Sequence, residues 1–262
     1  MRFLGYLKRW PHFDRGAVRV WDRNLMAWLK YYKTSVLMNF GEPLMNLLAL
    51  GFGLGAYVTK LNDLPFAEFI APGLLASTAM MGVVYDTAFS GHSMLDRGVY
   101  ESMVTGPLRV ESITAGMFLW EASRSVLYGC TFLVVILVMG LVRSPLALLI
   151  PVLMVLAGLL FTGPSLFVAA WAKAEDQLFY YFTLVITPMF MFSGIFFPVE
   201  NLPAAARWAI WLSPLYHVTN LSRALVLGRL HPGLWGDVLW LMVATIVLMP
   251  WPVTQMRRRL TA

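Results

Sequence analysis

The chain has 262 residues, of which 59% are hydrophobic and 13% are charged. Soluble domains carry about 25% charged residues, so this composition excludes an ordinary soluble protein and predicts a surface that faces lipid. The net charge is +6, and because the basic residues flank the apolar runs, we expect them to contact lipid headgroups and not nucleic acid. A single cysteine, Cys130, excludes an internal disulfide and a cysteine-based metal cluster.

The first segment, residues 1–33, is basic and contains an apolar stripe. Its basic residues are Arg2, Lys8, Arg9, Arg15, Arg19, Arg23, Lys30 and Lys33. The stripe consists of Trp21, Leu25, Trp28, Leu29 and Tyr32, whose spacing predicts a helix over 17–33. A basic amphipathic helix of this kind is typical of a segment that lies at the level of the lipid headgroups. A helix packed on a partner protein would show the same pattern.

Six apolar runs follow, each long enough to cross about 30 Å of hydrocarbon as a helix. They cover residues 36–58, 67–90, 112–142, 145–171, 178–197 and 233–256. We therefore expect an all-α polytopic membrane protein, in which residues 34–259 form one transmembrane domain with six transmembrane helices.

The stretch before the last run differs, because prolines divide it into two helices that are each too short to span a membrane. Pro203 suits the first turn of a helix, Pro214 breaks a helix, and Gly228 suits a helix C-terminus. We predict that residues 198–228 form a re-entrant helical hairpin on the extracytoplasmic side. In the alternative, residues 206–227 form a seventh span.

The distribution of charge favours six spans. Cytoplasmic flanks carry an excess of Lys and Arg, and six spans place both termini and most of the 20 Lys and Arg residues in the cytoplasm. The basic residues then left outside are Lys60, Arg143, Arg207, Arg223 and Arg229. A seventh span would move Arg257, Arg258 and Arg259 to the outside.

The sequence lacks the motifs of common catalytic sites. It contains no Gly-Lys dipeptide and hence no phosphate-binding loop of its own, and it contains no Gly-x-Ser-x-Gly nucleophile elbow. The four histidines are too scattered to form paired metal ligands. We expect a non-enzymatic chain with no catalytic residues, no metal site and no cofactor bound by the chain itself.

Several polar residues lie within or near the predicted spans. Asn39, Glu42 and Asn46 share one face of the first span, and Asp86 lies on a polar stripe at the end of the second. An acidic residue in a membrane helix usually faces protein or water, so these residues are candidates for the lining of a transport path. Helix packing is the alternative. Glu121 and Arg124, one turn apart, are expected to form an ion pair.

Aromatic residues accumulate from the end of the fifth predicted span into the hairpin. They include Phe192, Phe196, Trp208, Trp211 and Tyr216. These side chains are candidates for contact with a lipid or a sugar, and an interfacial belt of aromatic residues is the alternative.

The segment between the second and third runs, residues 91–111, mixes charged and apolar residues. Met94, Val99, Met103 and Val104 would suit a groove on a partner protein. A solvated loop is equally compatible with this pattern.

Longer stretches of the sequence carry a family resemblance. They cover residues 20–28, 41–44, 50–55, 185–203 and 212–228 together with the terminal Arg-Arg-Arg-Leu-Thr. The most specific part is Ser193-Gly-Ile-Phe-Phe-Pro-Val-Glu-Asn-Leu-Pro203, followed by Pro214-Leu-Tyr-His217. From about residue 20 to its end, the chain resembles the ABC-2 family of exporter permeases, and in particular its nodulation-factor lipo-oligosaccharide branch.

The resemblance implies a permease that works as two copies with two separate ABC ATPase subunits, which hold ATP and Mg²⁺. It implies a coupling helix within 91–110 that seats on the ATPase. The expected contacts to the ATPase are Arg97, Tyr100 and Glu101, with Trp21 and Arg23 of the N-terminal helix. The hairpin at 198–228 would face the exterior, with the candidate residues Glu200, Trp208, Trp211, Tyr216 and His217.

The implied activity is the export of an amphipathic lipo-oligosaccharide or a related glycolipid through the bacterial inner membrane. A drug or polysaccharide exporter of the same family is an alternative, and so is a channel-type or structural membrane protein.

Overall fold

The computed structural model describes residues 10–58, 60–61 and 64–260. The basic residues predicted to precede the N-terminal helix, Arg2, Lys8 and Arg9, lie outside the described residues. The helices are, in chain order, α1 Arg15–Trp28, α2 Tyr32–Asn46, α3 Phe66–Tyr85, α4 Gly91–Asp96, α5 Val99–Val104, α6 Val110–Val138, α7 Ile150–Trp171, α8 Asp176–Tyr181, α9 Thr187–Phe192, α10 Ala204–Trp211, α11 Pro214–Leu227, α12 Leu234–Leu248 and α13 Pro250–Leu260.

Short turns of other helical geometry extend several of these helices. The π-helical turns are Leu47–Gly53, Asp86–Ser90 and Phe182–Ile186, and the 3₁₀ turns are Leu54–Ala56, Pro145–Leu149 and Val199–Asn201. A minimal antiparallel pair joins β1, Lys60–Leu61, to β2, Leu64–Pro65. The all-α prediction missed this pair, because two-residue strands are too short to show an alternating pattern.

Four continuous helical segments in the described chain are long and apolar enough to cross a membrane. They are Phe66–Asp96, Val110–Val138, Pro145–Trp171 and Leu234–Leu260. The molecule is therefore a mostly helical membrane protein. The first and fifth predicted spans are also helical, over Tyr32–Ala56 and Asp176–Phe192, but they do not reach the same combination of length and apolar character.

Helix α3, in the first of these four segments, forms the centre of the molecule. Its side chains are buried almost without interruption, and they pack against α6, α7 and α11. Close packing is possible because α3 carries small residues: Gly73 lies where an added Cβ would stand 3.0 Å from the Ile195 backbone. Small residues of this kind allow membrane helices to approach closely.

Side-chain contacts define two opposite ends of the bundle. At one end, Arg259 of α13 pairs with Asp96 of α4 at 2.7 Å, and the Ser112 hydroxyl donates to Asp14 at 2.9 Å. The N-terminal helix, the 91–110 segment and the end of α13 therefore lie together. At the other end, Arg143 pairs with Glu68 at 2.5 Å, and the Arg143 backbone N–H donates to the Val226 carbonyl of the hairpin at 2.9 Å.

The N-terminal helix packs on α6 with a face that only partly overlaps its apolar stripe. The buried side chains of α1 are Ala17, Val20, Asn24 and Trp28, whereas Leu29 is 53% exposed. The contact forms because Gly116 of α6 leaves room: a Cβ there would stand 2.5 Å from the Val20 Cβ. The predicted stripe therefore includes residues that remain available to lipid or to another protein.

Candidate partner interface and polar sites

The 91–110 segment folds back on itself at one end of the bundle. α4 continues from α3, and Gly98 then turns the chain with a φ of 67° before α5 begins. This left-handed conformation favours glycine, since other L-residues meet a steric penalty there. The segment ends at Val110, where α6 begins. The Gly98 turn and α5 thus lie between the ends of two long apolar helices, Phe66–Asp96 and Val110–Val138.

Tyr100 anchors this segment from inside. Its side chain is fully buried in a cluster with Val20, Leu95, Ile113 and Met117, and its hydroxyl contacts the Met117 sulfur at 3.5 Å. Burial raises the pKa of the Tyr100 phenol, so the hydroxyl stays protonated. Tyr100 was expected to contact a partner. This is wrong for its side chain, which is buried and stabilises the segment from inside.

The other expected partner contacts differ in exposure. Arg97 is exposed and Glu101 is half-buried, and both lie around the Gly98 turn. Trp21 is half-buried and donates from its indole N–H to the Ser123 hydroxyl at 3.0 Å. The Arg23 guanidinium lies 3.7 Å from the Met94 sulfur of α4, so the N-terminal helix and the 91–110 segment contact each other directly.

Ion pairs connect this region to the C-terminal helix. Asp96 lies between Arg259, at 2.7 Å, and His92, at 3.2 Å, while Arg257 pairs with Glu111 at the start of α6. A cleft of about 520 Å³ opens beside the last pair, between the 91–110 segment and the C-terminal helix. Displacement of the segment would therefore act on α3, α6 and α13 together.

A buried charge cluster lies deeper in the bundle. Arg124 of α6 pairs with Asp86, which lies in the π-helical turn after α3, and with Glu121 at 3.3 Å. Glu121 is fully buried, and Asp86 also accepts from the Ser90 hydroxyl at 3.0 Å. The expected Glu121–Arg124 pair is confirmed. Asp86, expected on a transport path, is placed in this ion pair.

Hydroxyl groups extend the charge cluster toward the N-terminal region. Arg124 donates to the Tyr128 hydroxyl at 3.2 Å, the Tyr128 and Ser35 hydroxyls share a hydrogen bond of 2.6 Å, and the Trp28 indole N–H donates to Tyr128 at 3.3 Å. These hydrogen bonds and ion pairs connect α1, α2 and α6 to the end of α3. No pattern in the sequence indicated Ser35 and Tyr128, because their contacts form between segments that are distant along the chain.

The three polar residues expected on one face of the first span differ in burial and in hydrogen bonding. Asn39 is half-buried and donates to the Ser35 carbonyl at 2.9 Å, and Asn46 is half-buried, while Glu42 is exposed. Phe192 is 54% exposed, and the ring of Phe196 packs on Phe190 at a centroid distance of 5.3 Å. None of these placements tests a transport role, so the path lining remains a prediction.

His217 fastens the hairpin to the last long helix. Its side chain is fully buried, with Nδ1 at 2.6 Å from Asp237 Oδ1 and Nε2 at 2.7 Å from the Trp211 carbonyl. The imidazole stacks on Trp240 at 4.4 Å, and Asn220 donates to the other Asp237 oxygen at 2.8 Å. Sequence reasoning selected His217 but missed Asp237, which lies on a different helix.

The remaining hairpin candidates are more accessible. Trp208 is 69% exposed and Trp211 is 44% exposed, Glu200 is exposed, and Tyr216 is half-buried. Behind them, Arg223 donates to the Gly194 carbonyl at 2.8 Å, and its guanidinium lies 4.1 Å from the centre of the Phe69 ring. The hairpin is therefore held on the bundle by buried polar contacts and presents tryptophan outward.

Comparison with known proteins identifies the family. A model of the ABC-2 type transporter family matches residues 17–227, which includes the N-terminal helix, the 91–110 segment and the hairpin. The chain belongs to the ABC-2 type transporter family. The resemblance seen in the sequence is thereby confirmed.

Individual relatives of this ABC-2 transporter chain cover most of its length. Nodulation protein J of Sinorhizobium fredii is 35% identical over 217 residues, which is 82% of each chain. Nodulation protein J of Neorhizobium galegae is 31% identical over 93% of this chain and 94% of its own. The probable multidrug ABC transporter permease YbhR of Escherichia coli is 24% identical over 68% of this chain and 49% of its own.

The family fixes several properties of this ABC-2 chain. It is a permease, a membrane subunit of an ABC transporter, and this class of subunit is generally not catalytic. An ABC transporter permease works with an ABC ATPase subunit. Together with the apolar helices, the family indicates a multi-pass protein of the inner membrane.

Proposed function

We propose that the chain is the permease subunit of an exporter that moves an amphipathic lipo-oligosaccharide or a related glycolipid out of the cytoplasm. The observation that carries the substrate class is the similarity to Nodulation protein J over 82% of both chains. As the resemblance to the exporter permeases implies, two copies of the chain and two ATPase subunits form the proposed working unit. Mg-ATP is held by the ATPase subunits.

The 91–110 segment supports a docking role for the ATPase. Exposed Arg97 and half-buried Glu101 flank the Gly98 turn, and the buried Tyr100 side chain holds α5 against α1, α4 and α6. A push on this turn would therefore reach the long helices through packed side chains. Trp21 and Arg23 add a second proposed contact on the N-terminal helix.

The membrane topology that fits this function has six spans. The four long apolar helices are joined by Tyr32–Ala56 and Asp176–Phe192 as the first and fifth spans, with both termini in the cytoplasm and the hairpin outside. The location of the C-terminal arginines beside Asp96 and Glu111 supports this arrangement, because it puts the basic N-terminal helix and the basic C-terminus at one end.

In this mechanism, closure of the ATPases shifts the 91–110 segment and the N-terminal helix. The first, second and fifth spans then move relative to the second copy and open a path between the copies. The permease breaks no bond. ATP acts because the closed ATPases bind one permease conformation more tightly than the other. Asn39, Glu42, Asn46, Asp86, Phe192 and Phe196 are the residues proposed to line or flank the path.

Substrate-stimulated ATP hydrolysis tests the substrate class. The chain is co-reconstituted with its ABC ATPase in proteoliposomes, and hydrolysis is measured with a lipochito-oligosaccharide or with amphipathic drugs. We expect stimulation by the lipochito-oligosaccharide. The similarity to the YbhR permease favours drug export as the second candidate, and stimulation by drugs alone would replace the first proposal with the second.

The coupling surface has its own test. Reversing the charges of Arg97 and Glu101, as Arg97→Glu with Glu101→Arg, is expected to lower both ATPase binding and transport. Arg207→Glu serves as the control, because Arg207 is exposed on the hairpin at the opposite end. Unchanged binding and transport in the double variant would show that the ATPase docks elsewhere.

A further inference from the structure

A basic cleft lies between the C-terminal ends of α7 and α13. Its volume is about 470 Å³, and the described residues that line it are Ala170, Trp171, Ala172, Lys173, Gln255, Arg258 and Arg259. The set contains cationic side chains from both helix ends and no acidic residue. A ligand in this cleft would therefore need a negative charge.

Aromatic side chains continue beyond the cleft along the axes of its two helices. On α13, Trp251, Gln255 and Arg258 follow at helical spacing and share one face. On α7, Phe167 and Trp171 are four residues apart and also share one face. The Phe167 and Trp251 rings lie in contact, with a centroid distance of 6.1 Å. Trp171 is 55% exposed and Trp251 is 50% exposed. Tryptophan at the end of a membrane helix is typical of the headgroup level.

The cations of the cleft differ in their neighbours. Arg259 donates to the Ala172 carbonyl at 2.5 Å and pairs with Asp96 at 2.7 Å. Its guanidinium therefore already has partners within the protein. Lys173 and Arg258 are exposed at the rim. Arg258 also interacts with another group of the protein.

We propose that this cleft binds one anionic phospholipid. The headgroup phosphate would meet Lys173 and Arg258, and an acyl chain would lie along Phe167 and Trp251. A zwitterionic lipid offers no net charge to match the rim, and basic pockets between membrane helices on the cytoplasmic side favour anionic headgroups. Only the assignment to the cytoplasmic leaflet rests on the proposed topology, and the site itself does not depend on export activity.

Lipid titration with the purified full-length chain tests the site. Phosphatidylglycerol is titrated in detergent, and bound lipid is counted by native mass spectrometry. Each basic residue near an anionic headgroup contributes about a five-fold gain in affinity, so Lys173→Gln with Arg258→Gln should weaken binding about 30-fold. Lys173→Gln alone should weaken it about five-fold, which keeps the test valid if the double variant does not fold. Arg207→Gln, exposed at the opposite end, should bind as the wild type does.

Two further measurements distinguish the ligand. Phosphatidylcholine should bind at least ten-fold more weakly than phosphatidylglycerol, and Arg258→Lys should retain most of the affinity because it keeps the charge. The proposal is overturned if both neutral variants bind phosphatidylglycerol normally. It is also overturned if millimolar inorganic phosphate displaces the bound lipid completely, which would indicate a site for free anions. Neither result bears on ATP-driven export, which is measured separately.

Discussion

At the scale of single residues, Arg124 shows how a membrane interior constrains polar groups. Its guanidinium lies between Asp86 and Glu121, and it donates to Tyr128. An isolated charge in such a place is costly, and an acid within a membrane helix is expected to find a partner. The Glu121–Arg124 half of the cluster was predictable because both residues lie on one helix. The Asp86 half was not, since it depends on how α3 and α6 pack.

Removal of Arg124 should destabilise the protein strongly. Arg124→Gln leaves Asp86 and Glu121 without a countercharge, and breaking a buried pair by removing one partner costs about 3–5 kcal/mol. The thermal midpoint of the detergent-purified protein should fall clearly. Glu121→Gln is the matched control: it keeps an acceptor for Arg124 and leaves the Asp86 pair intact, so it should cost much less. An equal fall of the thermal midpoint in the two variants would show that the positive charge of Arg124 does not stabilise the cluster more than one acidic partner does.

His217 gives a second prediction at this scale. His217→Ala removes both hydrogen bonds of the imidazole and leaves Asp237 with Asn220 alone, so we expect faster hydrogen exchange over residues 204–227. Trp208→Ala changes an exposed side chain on the same hairpin and should leave exchange unaltered. If both variants exchange like the wild type, the His217–Asp237 contact does not hold the hairpin.

Asp14 should make the N-terminal helix sensitive to acid. Its carboxylate accepts from the Ala17 N–H and then from the Ser112 hydroxyl, and these bonds lower its pKa below the ordinary value of 3.8. A lowered folded-state pKa gives stability that is present above the unfolded pKa and is lost as the pH falls through the folded pKa. The difference in thermal midpoint between wild type and Asp14→Asn should therefore be constant at neutral pH and shrink below about pH 4. A difference that does not change with pH would contradict this role.

At the scale of elements, the contact between α1 and α6 depends on one glycine. Gly116→Ala would place a Cβ 2.5 Å from Val20 Cβ and 2.7 Å from the Ala17 carbonyl oxygen, so α1 must move. Overpacking of this kind costs about 1–3 kcal/mol. The thermal midpoint should fall, and protease cleavage within α1 should accelerate.

A second glycine provides the control for this prediction. Gly236 of α12 has nothing within 4 Å of an added Cβ, so Gly236→Ala should have a small effect or stabilise the helix slightly. If Gly116→Ala is as well tolerated as Gly236→Ala, then α1 does not pack on α6 as described.

The elements also show where sequence reasoning succeeds and where it stops. Proline and glycine act locally, so the two hairpin helices begin after Pro203 and at Pro214, and the second ends at Gly228 with a φ of 73°. The face of α1 that packs on α6 had no local signal, because it follows the shape of α6 around Gly116 and not the most apolar stripe. Tyr100 was misjudged for the same reason: exposure is a property of the packed chain.

At the scale of the whole molecule, composition alone predicted a membrane protein, and the number of spans is the finer question. Among the described residues, four helices qualify by length and apolar character, and the proposed first and fifth spans, Tyr32–Ala56 and Asp176–Phe192, fall short of that combination. The chain suits a direct test, since Cys130 is its only cysteine. Single cysteines in a Cys130→Ser background at Lys60, Arg207 and Ala174 would report the side of the membrane. Six spans place the first two outside and the third inside.

The central claim is that the chain exports its substrate only together with an ABC ATPase. ATP-dependent uptake of a labelled lipochito-oligosaccharide into inside-out vesicles measures this directly, with the chain present alone or with the ATPase. We predict uptake that requires both proteins and ATP, and that is lost when the ATPase carries an inactive nucleotide site. Movement with the chain alone, down a concentration gradient and without ATP, would indicate a channel, and no movement with the complete complex would contradict the proposed substrate.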